Sequence, residues 1–95
     1  MQDNILRQLQ ELKPILSKQY GIERFAIFGS VAKGTANENS DIDIAILQAN
    51  RKNLFLRLKA IRFLEEKLGK KVDMGYFDSM KSFVKDSIQK DFVYV

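Results

Sequence analysis

Apolar residues recur at helical spacing through the first twenty positions: Ile5, Leu6, Leu9, Leu12, Ile15 and Leu16. Pro14 interrupts that run, and because proline lacks a backbone donor it predicts a kink or a fresh helix start near residues 12–14. Gly21 reads as the stop. Residues 23–28 (Glu-Arg-Phe-Ala-Ile-Phe) then have strand composition and run into Gly29, with residues 30–35 suited to a short helix. Residues 41–47 (Asp-Ile-Asp-Ile-Ala-Ile-Leu) make the clearest strand, rich in β-branched side chains. Helical spacing returns over 53–68 and ends at Gly69, and 71–77 read as a third strand. Ser79 predicts the cap of a last helix through about Lys90. The apolar run Phe92-Val93-Tyr94-Val95 must pair with or pack on something. This order predicts one domain over 1–95, of α/β (α+β) class, with a small mixed sheet flanked by helices.

One helix carries more apolar surface than its place requires. On 53–68, Leu54, Leu58, Ile61, Leu64 and Leu68 form one stripe, while Leu56, Ala60 and Phe63 lie on the far side. A surface helix of a small domain needs only one such stripe. Enclosure of the helix, dimerisation or a partner subunit would each account for the excess.

Composition narrows the chemistry mainly by what is missing. With 45% hydrophobic and 29% charged residues the chain is of the soluble globular kind. No stretch is long enough to cross a bilayer and Met1-Gln2-Asp3-Asn4 has no secretory character, so a cytoplasmic protein is expected. There is no Cys and no His, which excludes disulfides, thiolate nucleophiles, Ser-His-Asp triads and the usual zinc sites. Acid–base or metal chemistry must rest on Asp, Glu, Lys or Tyr, and oxygen-liganded cations such as Mg²⁺ are the expected metals. A net charge of +4 suits a polyanionic ligand, RNA or an acidic partner, or serves solubility alone.

Two carboxylates alternate with isoleucines at the head of the clearest strand. Asp41 and Asp43 face the same side, with Ala45 and Leu47, while Ile42, Ile44 and Ile46 line the other. Two like charges about 5 Å apart cost on the order of 3 kcal/mol at an effective dielectric of 20, unless a cation lies between them. They either hold such a cation or mark a solvated strand end. Upstream, Gly29 lets backbone approach a ligand, and Ser30 at a helix start offers a hydroxyl and free N–H groups to a phosphate. Alternatively, Ser30 is an ordinary N-cap. Lys33, one turn on, adds a charge-assisted contact. Gly29 and Gly34 share the four-residue gap of a Walker A loop, but Thr35 and Ala36 follow where that loop needs Lys and then Ser or Thr. Asp73 stands inside an apolar strand, either at an exposed edge or as a third acid beside Asp41 and Asp43, where it can take a proton from an attacking hydroxyl. Glu65, Glu66, Asp86 and Asp91 look like solvated helix charges.

Gly29-Ser30, ten intervening residues, Asp41-Ile42-Asp43 and a later Asp73 together resemble the polymerase-β-type nucleotidyltransferase superfamily. Ala32-Lys33-Gly34 and the block Ser40-Asp41-Ile42-Asp43-Ile44 are similar to the minimal nucleotidyltransferases, the MNT proteins. The resemblance implies a polymerase-β-like fold in which Asp41, Asp43 and Asp73 are the metal-binding and catalytic acids. It implies that Asp41 and Asp43 bind Mg²⁺, that Gly29 and Ser30 grip the outer phosphates of ATP, and that Lys33 and Gly34 belong to the same nucleotide loop. Asp73 would position or deprotonate an acceptor hydroxyl. It further implies an antitoxin that silences a helical HEPN-domain ribonuclease by transferring AMP to a tyrosine, meeting RNA only through that partner. Transfer to a small molecule or RNA end, with another subunit holding the acceptor, and a non-catalytic antitoxin that masks its partner are the competing readings. A homodimer or a hetero-oligomer is compatible with each.

Overall fold

The computed structural model describes residues 2–37 and 39–95; Met1 and Glu38 lie outside the described residues. The first helix, α1 (Gln2–Tyr20), is a single 19-residue element with Pro14 inside it, so the expected fresh start is not found. The reason is local. Proline at 14 frees the carbonyl of Gln10, and both positions are exposed, so water serves the orphaned acceptor. The buried stripe Ile5, Leu9 and Leu16 continues across the proline undisturbed.

Strand β1 (Ile22–Phe28) follows, then α2 (Gly29–Lys33), β2 (Ile42–Ala49), α3 (Leu54–Leu68), β3 (Val72–Tyr76), α4 (Ser82–Gln89) and β4 (Val93–Tyr94). The sheet order is β3-β2-β1-β4, with β2 and β3 parallel and the other two pairs antiparallel. It is the small mixed sheet that the element order predicts. Asp41 falls just ahead of β2 rather than within it, and β2 runs on past Leu47 to Ala49. The tail finds its partner: Ala26 pairs with Tyr94, Ile27 with Val93, and the Val95 N–H donates to the Phe25 carbonyl at 3.2 Å.

Ser79 does not cap the last helix. It closes a 3₁₀ turn, Phe77–Ser79, and α4 begins at Ser82 with Lys81 as an N-cap that makes no side-chain bond. The intervening Met80 is extended and brings its methyl 3.5 Å from where a Gly75 Cβ would stand. Two extended residues, Met80 and Lys81, thus separate the turn from the helix.

Alternation along the strands sorts the side chains. Register pairs Phe25 with Ile46, Ile27 with Ile44, Ile42 with Val72 and Ile44 with Met74, all buried. Leu9 and Leu16 of α1 and Ala60 and Leu64 of α3 join them in one core. Burying each large aliphatic side chain of this layer contributes about 1.5–3 kcal/mol. The odd-numbered residues of β2 and β3 therefore face away from this core, and the carboxylates are among them. Among the described residues, no helix is long and apolar enough to cross a membrane.

Helix α3 is only half covered. Asn53 caps it, accepting from the N–H groups of Phe55 and Leu56 at 2.8 and 3.2 Å. Ala60 and Leu64 are buried and Ile61, Phe63 and Leu68 pack against the core. Leu54, Phe55 and Leu58 are 58%, 73% and 48% exposed, so enclosure is not the answer to its surplus of apolar residues.

Candidate active site

The site forms where β1 ends and β2 and β3 begin. At the end of β1, Phe28 stands opposite Asp43 of β2, and Asp43 stands directly opposite Asp73 of β3. Neighbouring strands are about 4.8 Å apart, so the Asp43 and Asp73 side chains rise side by side from the face opposite the core. Asp41, two positions before Asp43 and just ahead of β2, is exposed. Asp43 is half-buried and its pKa is raised, first by burial and then by the charges of Asp73 and Asp41. Asp73 and Asp41 thus both lie within electrostatic reach of Asp43. Asp73 is exposed on β3, an edge strand of the sheet, and the parallel register with β2 sets it opposite Asp43.

Gly29 brings backbone against this group. Its φ is +74°, a left-handed value that costs a side-chain-bearing residue, and a Cβ there would collide with Oδ2 of Asp43. The residue type is required twice over. Ser30 is the second residue of α2 and not its cap, since Phe28 occupies that position and offers no side-chain bond. The Ser30 carbonyl accepts from the Thr35 N–H at 3.0 Å, while its hydroxyl has no partner among the described residues. Buried Val31 and Ala32 anchor α2 to the core, which fixes its first residue, Gly29, beside Asp43.

Lys33 and Gly34 stand further off. The Lys33 ammonium lies 3.5 Å from Oδ2 of Asp91, and Gly34 ends α2 in the left-handed conformation, its N–H donating to Val31. Asp91 is therefore no solvated helix charge: it follows α4 and ties the turn after that helix to the end of α2. Glu65 likewise has a task. Its Oε2 accepts the Val72 N–H at 3.0 Å, fixing the start of β3 one residue before Asp73. Neither pairing leaves a local signal in the sequence, because each joins residues from different elements.

A polar cleft of about 430 Å³ opens beside Asp41, lined by Asn39, Ser40, Gly69, Lys70 and Lys71. Its walls are braced by Lys70, whose ammonium donates to the Asn37 carbonyl at 3.3 Å, and by the Asn37–Ser40 turn. Among the described residues, no group of three or more acids is placed to hold a metal ion. Mg²⁺ does not ask for such a group, being held typically by one or two carboxylates plus substrate phosphates and waters. A repelling, partly desolvated pair of carboxylates fits such an ion.

On the other flank, Phe92 contacts the rings of Phe28, Phe77 and Tyr94 at centroid distances of 6.2, 5.4 and 5.8 Å. Apolar aromatic surface thus closes the side of the site nearest β4.

The family described as nucleotidyltransferase domain matches residues 9–95. A Methanocaldococcus jannaschii protein provisionally named a protein adenylyltransferase is 39% identical over 90 residues, 92% of this chain and 90% of its own. The protein adenylyltransferase MntA of Thermococcus cleftensis is 30% identical over 94 residues, 92% of this chain and 95% of its own. A solved structure described provisionally as a minimal nucleotidyltransferase superposes with a TM-score of 0.78 at 27% identity, covering 95% of this chain and 92% of that one. A toxin–antitoxin crystal structure with AMP-PNP gives a TM-score of 0.62 at 28% identity, covering 87% of this chain and 62% of that one.

Proposed function

This chain belongs to the nucleotidyltransferase domain family, and we propose that it works as a Mg²⁺-dependent protein adenylyltransferase, moving AMP from ATP to a tyrosine hydroxyl of a HEPN ribonuclease toxin whose antitoxin it is. The observation that carries the reading is the direct register of Asp43 with Asp73 while the Gly29 backbone presses on Asp43 from the other side. That arrangement puts negative charge between a phosphate-binding turn and an open flank. It is what an in-line attack on the α-phosphorus needs.

Asp41 and Asp43, with Asp73, are the residues that would hold Mg²⁺. The bound ion would supply charge neutralisation to the triphosphate and the leaving pyrophosphate. The N–H groups of Gly29 and Ser30 and the Ser30 hydroxyl grip the outer phosphates, with Lys33 and Gly34 completing that turn. Asp73, on the flank away from Gly29, accepts the proton of the attacking tyrosine hydroxyl or orients it. The new bond joins the tyrosine oxygen to the α-phosphorus as the bond to the pyrophosphate oxygen breaks. Most of the acceleration comes from positioning and fixed charge.

The names of the similar proteins support AMP transfer to protein, and the toxin–antitoxin structure supports the partner. We place the work in the cytoplasm, with residues 1–95 acting as one domain and RNA touched only by the partner. The test is purified protein with labelled ATP, Mg²⁺ and a HEPN-domain protein as acceptor. Label on a partner tyrosine is expected. Label on RNA or a small metabolite instead, or tight nucleotide binding without turnover, would overturn the assignment.

A further inference from the structure

The exposed apolar residues of α3 lie far from the carboxylates. Ala60 and Leu64 share a core with Ile44 and Met74, so α3 covers the face of the sheet opposite Asp43 and Asp73. Its start is also at the wrong end for the chemistry: the Asn53 N–H donates to the hydroxyl of Tyr76, the last residue of β3, whereas Asp73 is near the first. Leu54, Phe55 and Leu58 there are at least 48% exposed, beside a groove of about 490 Å³ that Phe55, Leu58 and Ile61 share with Lys59 and Arg62. Exposed large side chains gathered on one surface mark an interaction site more often than a solvated helix face.

Charge selects the occupant. Residues 50–64 contain Arg51, Lys52, Arg57, Lys59 and Arg62 and no acid. The acid in the groove wall, Glu65, has turned a carboxylate oxygen to the Val72 N–H. Two copies meeting about a two-fold axis would set Lys59 and Arg62 against their own images, a like-charge contact that disfavours self-pairing. A surface with apolar residues along one ridge and carboxylates on its edges matches both features.

We infer that the first turns of α3 dock a protein partner that seats an apolar helical ridge on Leu54, Phe55 and Leu58 and sets carboxylates beside Lys59 and Arg62. The inference rests on the reading that this chain acts on a protein. It adds that the partner is held at a place separate from the transfer site, so that binding and chemistry can be lost one without the other.

Calorimetric titration of the full chain with the HEPN-type partner tests it. Phe55→Asp with Leu58→Asp is expected to weaken the complex by about 30-fold or more, as for a central aromatic anchor. ATP–Mg²⁺ binding should change less than about twofold. Lys59→Glu with Arg62→Glu, two exposed positions whose reversal leaves the core alone, should weaken it about tenfold and flatten its salt dependence. Partner affinity within about twofold of the parent in both variants would overturn the assignment. So would sedimentation showing a dimer of this chain that Phe55→Asp with Leu58→Asp dissociates, or equal loss of RNA or anionic-vesicle binding with the partner affinity unchanged. A complex that forms, is broken by these variants and yet transfers no AMP would sink the catalytic reading while leaving the docking surface standing.

Discussion

The two faces of this sheet obey opposite rules. On one, Ile42, Ile44, Ile46, Val72 and Met74 are sealed under α1 and α3, and every contact lowers the free energy of folding. On the other, the same two strands set a half-buried Asp43 beside Asp73; burial first, and then that neighbouring charge, raise the pKa of Asp43 and oppose folding. One layer is built for stability and the other tolerates instability, and the first holds the second in place. The difference teaches that a destabilising contact which the fold goes to the trouble of aligning is a better pointer to chemistry than any stabilising one.

Substitutions on the two faces should therefore separate stability from activity. Asp43→Asn has the largest expected effect on transfer, a loss of about a thousandfold or more in single-turnover assays. The same change should stabilise the fold by roughly 1 kcal/mol in urea titration, because it removes the repulsion among the acids. Leu64→Ala, in the opposite layer, should cost about 2–5 kcal/mol of stability, with the rate per folded molecule nearly unchanged. Both outcomes reversed would break the comparison.

Gly29→Ala ranks next on activity, with a loss of about a hundredfold, since the new methyl must displace the Asp43 carboxylate and strain a left-handed backbone. Its thermal unfolding should also shift downward. Ser30→Ala should reduce nucleotide use by only about tenfold, the worth of one phosphate hydrogen bond, read as a rise in KM for ATP. The smallest effect is on pH dependence. Asp43 binds its proton more readily in the folded chain than in the unfolded one. Its contribution thus makes stability fall as pH rises from below the ordinary carboxylate pKa through its raised value. Asp43→Asn should remove that downward component from urea midpoints measured across the acid range.

What the sequence made legible followed local rules. Alternation in 42–47 set Asp43 on the face away from the isoleucines, and the glycines at 21 and 69 marked the ends of helices. The mixed sheet followed from element order. What stayed hidden depended on distant partners. Pro14 sits inside α1 because Gln10 faces water, which periodicity does not reveal. Ser79 misled because it closes a 3₁₀ turn that two extended residues separate from the helix, and Glu65 and Asp91 read as idle until Val72 and Lys33 came to meet them. The apolar stripe on 53–68 was visible, but not that its first turns project beyond the sheet's cover.

The parallel pairing of β2 with β3 also works as a proofreading device. Sliding one strand past the other by a single position would turn Asp73 inward among isoleucines and throw Val72 and Met74 out into water. Misalignment of the acids is thus penalised by oil, not by charge, and the accuracy of the acidic edge is inherited from the greasy side beneath it.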